Sequence, residues 1–329
     1  MKPDISERIF KIEDQDSFRV ASLEIFRLQS AGNKIYKEFL ESLRIDPLSV
    51  RSVSQIPFLP VEFYKSQRVI TGTMPHVKVF ESSGTTGTVS GKHFVVDTGL
   101  YEKSFLEAFT LFYGEPADYM IAALLPSYTE RGNSSLVYMV DNLIRRSKYP
   151  GSGFYSDDPE SVIRAMEEAR KNRKKVLLMG VSFALLDLAE KYSPDLHDVV
   201  IMETGGMKGR RKEITRNELH SVLKKAFNVS EVHSEYGMTE LLSQAYSKGN
   251  GIFNCPPWMK VLIRDPLDPL TIIEEPEKTG GINIIDLANI HSCSFISTGD
   301  LGKLHKDGSF EVLGRIDNSD VRGCNLLIE

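Results

Sequence analysis

Apolar positions recur every three or four residues through the first fifty positions. In "SFRVASLEIFRLQSAGNKIYKEFLESL", Leu23, Phe26, Leu28, Ile35, Phe39 and Leu43 fall at roughly helical spacing, which predicts helices over residues 1 to 50. The next stretch, "IPFLPVEFYKS", carries Pro57 and Pro60, which forbid a regular helix and predict an extended segment. The β-branched "HVKVF" and then "KHFVVD" read as two strands, with a polar loop turning between them. Helix and strand signals alternate after that. "TGLYEKSFLEAFTLFYG", "SSLVYMVDNLIRRS", "DPESVIRAMEEARKNRK", "SFALLDLAEKYS" and "RKEITRNELHSVLKKAFN" are helical; "DYMIAALLP", "KVLLMGV", "HDVVIMETGG" and "SEVHSEYG" are buried strands. Phe105, Phe109 and Phe112 sit at helical spacing, as core residues do. From about residue 250 the helical signals stop. "VLIRD", "TIIEE", "GGINIID", "SFISTGD" and "FEVLGRID" form a strand-rich tail.

Such alternation points to βαβ units and a mostly parallel sheet, an α/β protein. The expected organisation is an N-terminal helical segment over 1–75, an α/β core over 76–249 and a β-rich part over 250–329, together forming one compact whole.

Composition narrows the function classes. The chain has 329 residues, 41% of them hydrophobic and 26% charged, ordinary proportions for a globular protein. A net charge of -5 offers no basic face for nucleic acid. Cys255, Cys293 and Cys324 are too few and too scattered for a disulfide framework or a zinc site, which favours a reducing cytoplasm. "MKPDISERIFKIEDQD" has charges where a signal peptide needs an apolar core, and no apolar run reaches the ~20 residues of a membrane helix.

In open α/β sheets ligands collect where strands end, and four strand ends here carry unusual residues. The first is "FESSGTTGTVSGKHF", which gathers Ser82, Ser83, Gly84, Thr85, Thr86 and Gly87. Successive N–H groups of a Gly-rich turn form an anion-binding concavity, and hydroxyls add donors. It is not a Walker loop, because Gly87 and Gly91 stand one residue too close and His93 follows Lys92. Taken alone, the loop reads equally well as a polar hairpin turn. The second is "ETGGMKGR", where Gly205 and Gly206 let a flat group approach the backbone. The third is "HSEYGMTE": Tyr236 offers a ring face beside Gly237, Thr239 a hydroxyl, and Glu240 a hard oxygen ligand suited to Mg²⁺. The fourth joins "STGD" to "GRID", where Asp300 can accept from ribose hydroxyls and Arg315 can donate to ribose or phosphate.

The order SSGTTG, GG, YGMTE, TGD, GRxDxxxxRG, running from Phe80 to Gly323, resembles the adenylate-forming superfamily of acyl-CoA ligases, peptide-synthetase adenylation domains and luciferase. "IPFLPVEFYKS", "LPSYTERGNSSLVYM" and "VRGCNLLIE" are most similar to the LuxE-type acyl-protein synthetases, which are related to phenylacetate-CoA ligase. The resemblance implies that superfamily's large-domain fold, with mixed and parallel sheets flanked by helices and a β-rich C-terminal part. It implies that Ser82 to Gly87 hold the β- and γ-phosphates of ATP, and that Gly205 and Gly206 line the adenine pocket. Tyr236, next to Gly237, would stack on the base. Thr239 would contact the α-phosphate, Glu240 the magnesium, and Asp300 and Arg315 the ribose. The implied reaction activates a carboxylic acid, a fatty acid in the LuxE-type family, to acyl-AMP and passes the acyl group to a thiol.

Two departures from the superfamily pattern stand out. Lys92 lies two places after the superfamily's loop lysine and reads as a surface residue. The sequence also ends twelve residues after Asp317, where most relatives continue into a C-terminal lid with an assisting lysine. Lys208 or Arg210 is a candidate for supplying part of that charge. In the LuxE-type family a cysteine near the C-terminus takes the acyl group and hands it to a partner reductase, and Cys324 stands in that place, with Arg322 beside it. Its alternative role is to fill an apolar niche beside Leu326 and Leu327. Cys255 and Cys293 read as structural and His233 as a core histidine, while Ser127 and Tyr128 are candidates for flanking the carboxylate. Expected partners are the acid, an acyl-CoA or fatty-acid reductase or another acyl acceptor, and a second copy of the chain, with no nucleic acid. Two other functions stay open: an acyl-CoA ligase of the phenylacetate type, and an inactive nucleotide-binding scaffold for a reductase or acyltransferase.

Overall fold

The computed structural model describes residues 4–82, 89–125, 132–156, 158–205 and 214–316. Its helices are α1 (Ile5–Arg8), α2 (Gln15–Gly32), α3 (Lys34–Ser42), α4 (Phe63–Ser66), α5 (Thr98–Tyr113), α6 (Ser135–Ser147), α7 (Pro159–Lys171), α8 (Ser182–Tyr192) and α9 (Arg216–Phe227). Its strands are β1 (Leu59–Pro60), β2 (Lys78–Glu81), β3 (Lys92–Val95), β4 (Tyr119–Leu124), β5 (Gly153–Phe154), β6 (Lys175–Gly180), β7 (Val200–Thr204) and β8 (His233–Tyr236). They continue with β9 (Ala245–Ser247), β10 (Ile252–Asn254), β11 (Met259–Arg264), β12 (Ile272–Ile273), β13 (Thr279–Asp286), β14 (Phe295–Leu304) and β15 (Phe310–Arg315).

The alternation read from hydrophobic spacing is present, and the fold is mixed α/β. One expectation needs correction. "IPFLPVEFYKS" is extended only as far as β1 and then coils into α4. Pro60 restrains the residue before it, not Phe63 and those that follow, so the helix starts as soon as the prolines are passed.

The chain divides into two compact units: unit 1 is 1–78, 91–100 and 254–329, and unit 2 is 79–90 and 101–253. In unit 2 the strand order β8-β7-β6-β4-β5 is parallel throughout, and β9 lies antiparallel on β8. All six residues of β4, "YMIAAL", are buried, as befits a parallel strand covered on both faces. Met120, Ala122, Leu178 and Ile201 pack with Val162 and Met166 of α7, Leu185 of α8 and Leu219 and Leu223 of α9. Burying each such large side chain stabilises by about 1.5–3 kcal/mol. The helix starts are written in the sequence. Asp158 caps α7 ahead of Pro159, and Thr215 with Glu218 forms a capping box on α9.

In unit 1 the antiparallel order β12-β11-β13-β14-β15 carries β1 parallel to β14. The segments 1–75 and 250–329, read separately in the sequence, share this unit because α2 hydrogen-bonds the turn before β14. Gln29 is fully buried there; its Nε2 donates to the carbonyls of Asn289 (3.0 Å) and Ile290 (2.9 Å), and its Oε1 accepts from Ser294 N (2.9 Å). Asn33 adds a bond from Nδ2 to Ser292 O at 2.9 Å. Among the described residues no helix is long and apolar enough to cross a membrane.

Gln29→Leu keeps the volume but leaves those backbone groups without a side-chain partner, and should lower unfolding stability by about 3 kcal/mol. Urea unfolding measures this. A loss below about 1 kcal/mol would show that other contacts hold α2 to the turn.

Candidate active site

The five parallel strands of unit 2 end on the same side of the sheet, and the ends of β6, β7 and β8 hold the candidate residues. After β6 the chain enters α8 at Ser182. After β7 comes Gly205, at φ 69°, a backbone region that glycine enters without steric cost. The Gly205 carbonyl accepts from Ser182 Oγ (2.5 Å) and more weakly from Ser182 N (3.4 Å), so Gly205, just after β7, is fastened to the first residue of α8. After β8 come Gly237, Thr239 and Glu240. The register sets Thr204 beside Glu235, so Gly205 after β7 and Tyr236 and Gly237 at the end of β8 lie at the same edge of the sheet.

Tyr236 is largely buried, with the edge of its ring against Phe253 (5.9 Å between centroids) and its hydroxyl 3.9 Å from the Met238 sulfur. Leu241 N donates to Met238 O at 3.1 Å, closing a tight turn that holds Thr239 half-buried and the Glu240 side chain buried. Ser82 follows β2, which is fixed in unit 2 by the buried Phe80 against Tyr101 and Tyr138 and by Glu81 N donating to Asn133 O (2.8 Å). In unit 1, Asp300 and Arg315 are direct partners across β14 and β15. Asp300 N donates to Thr298 Oγ1 (3.1 Å), Ile316 N to Gly299 O (2.8 Å), and a Cβ on Gly299 would sit 3.4 Å from the Arg315 guanidinium.

The structure thus brings Gly205, Tyr236, Gly237, Thr239 and Glu240 together in unit 2, and Asp300 with Arg315 in unit 1. Ser83, Gly84, Thr85, Thr86, Gly87, Gly206 and Cys324 lie outside the described residues, as do Ser127, Tyr128, Lys208, Arg210 and Arg322. Lys92 is exposed. Cys293 is fully buried, and burial pushes the Cys255 and Cys293 thiols up to about 12, so both stay protonated and suit structural roles. His233 accepts or donates at 3.1 Å to the Tyr113 hydroxyl, and burial with the nearby Lys248 ammonium pushes it down to about 4. It is a neutral interior histidine at pH 7.

Sequence reasoning missed the carboxylates inside these strands. Successive strand residues face opposite sides, so Glu203 and Thr204 point apart, as do Ser234 and Glu235. Glu203 is buried on the α9 side and accepts from Arg216 Nε at 3.0 Å, with His220 Nε2 at 3.8 Å. Burial pushes its carboxyl up, but the His220 ring and the Arg216 guanidinium outweigh that and hold it below the ordinary value. Glu235 is buried on the opposite face. Among the described residues its one hydrogen-bond donor is Thr204 Oγ1, at 2.5 Å. Burial pushes this carboxyl up to about 7; the Thr204 bond only partly offsets that, and the Glu203 charge adds to it. The signal that could have found both is a glutamate inside an otherwise apolar strand, just before T-G and before Y-G. Arg264 was missed as well. Buried in unit 1, it donates to Ile282 O (2.7 Å), Asn283 Oδ1 (3.1 Å) and Thr298 O (2.6 Å), and so fixes the part of β14 that carries Asp300.

Solved structures share this architecture. ATP-bound MatB from Rhodopseudomonas palustris matches 72% of this chain and 47% of its own at 18% identity, with a TM-score of 0.55. A 2-hydroxyisobutyryl-CoA ligase in complex with 2-HIB-AMP and CoA matches 93% and 77% at 10% identity, TM-score 0.64. The amide bond synthetase McbA from Marinactinospora thermotolerans matches 73% and 49% at 17% identity, TM-score 0.52. The fold is therefore that of the adenylate-forming enzymes, and the chain spans about half the length of the first of these (47%). No protein-family model and no curated relative matches the sequence.

Glu235 gives the site a pH signature. A carboxyl raised to about 7 in the folded state binds its proton more tightly than in the unfolded chain, so its contribution is complete below about pH 4.5 and is lost as pH rises through 7. Glu235→Gln removes that slope: relative to wild type, the variant should gain up to about 3 kcal/mol between pH 5 and pH 8. Parallel urea curves at the two pH values test it, and equal differences at both would show that the carboxyl titrates normally.

Proposed function

We propose that this protein activates a carboxylic acid with ATP, giving acyl-AMP and pyrophosphate, and transfers the acyl group to a thiol. The observation that carries this reading is the parallel pairing of β7 with β8, which brings Gly205 and the pair Tyr236 and Gly237 to the same edge of the sheet, in a fold shared with structures that bind ATP and acyl-AMP. A carboxylate oxygen attacks the α-phosphorus, the bond to the β-phosphate bridge breaks, and pyrophosphate leaves. The thiolate then attacks the acyl carbon and releases AMP. Positioning and charge neutralisation do most of the work in such a reaction.

The motif order supports the same roles for single residues. Gly205 leaves room for the base beside Tyr236, and Thr239 meets the α-phosphate. Asp300 accepts from the ribose hydroxyls, next to Arg315. Ser82 opens the hydroxyl-rich loop of Ser83 to Gly87, which suits a pyrophosphate that has to depart. Among the described residues no three His, Cys, Asp or Glu side chains converge on a metal cage. Glu240 as a single buried carboxylate fits Mg²⁺, which binds through one or two carboxylates plus substrate phosphates and keeps its waters. The ion would supply charge neutralisation at the phosphates. The LuxE-like segments support an acyl-protein synthetase with Cys324 as acceptor and a fatty acid as substrate, and a partner reductase follows from that. Transfer to coenzyme A is the other outcome of the same chemistry.

Carboxylate-dependent exchange of labelled pyrophosphate into ATP tests the reading. Exchange should appear with at least one acid and fall at least about 100-fold in Glu240→Gln. Asp300→Asn should weaken ATP binding by about 10-fold, the cost of one charge-assisted hydrogen bond. A folded sample that binds ATP but exchanges with no acid would identify a nucleotide-binding scaffold instead.

A further inference from the structure

The two faces of the β7–β8–β9 strip treat their polar residues differently. On the α9 side the row Glu203, Ser234, Ser247 is closed, because Arg216 and His220 meet the Glu203 carboxylate. On the α5 side the matching row is Thr204, Glu235, Tyr246, with Gln244 two residues before Tyr246. Tyr246 is 1% exposed and Gln244 3%, yet neither the Tyr246 hydroxyl nor Gln244 Oε1 meets a hydrogen-bond partner among the described residues. A purely structural polar row would be closed by its own side chains, as its counterpart is. Buried polar atoms left without partners are a cost the fold recovers when a ligand supplies them.

Gly237 shows where such a ligand enters. It is exposed, and a Cβ built on it would lie 2.5 Å from Glu235 Oε1 and 3.3 Å from Gln244 Cγ. Glu235 and Gln244 therefore converge beneath a residue that has no side chain to cover them. On the α5 side the rings of Phe112 and Tyr113 stand 5.2 and 5.4 Å from that of Tyr246 and wall the row off. The Tyr113 hydroxyl is already engaged with His233.

We propose that Glu235, Gln244 and Tyr246 form a subsite under Gly237 for a hydrogen-bond-donating group, a hydroxyl or an amino group, on the carbon chain of the acid that is activated. This rests on the reading of unit 2 as a carboxylate-activating site. The receiving atoms decide the chemistry: a carboxyl oxygen and an amide oxygen accept, and a phenol can accept or donate, so a ligand group that donates can satisfy all three. A plain alkyl chain would leave all of them dry. The proposal thus turns the fatty-acid expectation toward a substituted acid.

The test uses hexanoate, its hydroxy and amino derivatives at each carbon from the second to the sixth, and myristate. Binding to the full chain with AMP present is measured by calorimetry, and pyrophosphate exchange is measured on the same samples. One substituted acid should bind at least about 100-fold tighter than hexanoate, since a site built to hydrogen-bond a group rejects the analogue without it. Glu235→Gln, Gln244→Leu and the conservative Tyr246→Phe should each cut that preference by about 10-fold or more, with circular dichroism confirming that each variant is folded. A hydroxyl ligand keeps part of its preference in Glu235→Gln; an amino ligand, which needs the carboxylate charge, loses it. Equal or tighter binding of hexanoate or myristate overturns the subsite, as does failure of every acid to bind or a preference that survives all three variants. Selective binding without exchange upholds the subsite and rejects the adenylation reading; exchange without selectivity does the reverse.

Discussion

Everything in unit 2 that bears on function depends on the register of β7 against β8. Because the two strands are parallel and Thr204 lies beside Glu235, one offset settles three things at once. It brings the glycines after both strands to the same edge, turns Glu203 toward Arg216 and His220, and turns Glu235 toward Thr204 and Tyr246. A slip of β7 by one residue would exchange its faces and carry the Glu203 carboxylate away from Arg216 and His220. Glu203 therefore specifies the register as well as occupying it: a buried charge tolerates one arrangement, the one in which its partners are present.

Unit 1 applies the same logic with neutral groups and one cation. Gln29 is matched to two carbonyls and an N–H of the turn before β14, which a helix packed by apolar contacts alone could not do with one orientation. Arg264 then spans from β11 to the Ile282 and Thr298 carbonyls, and Thr298 Oγ1 receives Asp300 N while donating to Ile282 O. A Cβ on Gly281 would sit 2.5 Å from the Arg264 guanidinium carbon, so the strand carries a glycine there to let the arginine through. The position of Asp300 is thus set by residues of three strands.

The elements were legible because their signals are local. Hydrophobic spacing gave α5 to α9 and the strands β4, β6, β7 and β8. The strand-end positions of Tyr236, Gly237, Thr239, Glu240 and Arg315 were legible too, at or just after the ends of β8 and β15, while Asp300 lies inside β14. What stayed hidden was pairing. Nothing within "HSEYG" says which residue of "IMETG" lies beside its glutamate, so the opposite states of Glu203 and Glu235 could not be read. Gln29 and Arg264 were invisible for the same reason: their partners lie 260 and 34 positions away in the chain. Short β5, β9 and β10 have too few residues to show a period.

The contrast between the two glutamates separates scaffold from site. Both are buried, each is the last residue but one of its strand, and a few residues of sequence context make them look alike. Glu203 is held ionised by two basic neighbours, and its environment is complete without any ligand. Glu235 has one hydroxyl, a repelling carboxylate on the next strand and an exposed glycine above it, and its proton is retained to about pH 7. A group in that state can accept a hydrogen bond from a neutral donor or meet a cation by releasing its proton, so it adapts to what arrives. Adaptability of this kind costs stability, and folds keep it where recognition or chemistry needs it. Of the two, Glu235 is the residue whose surroundings are finished only by a ligand.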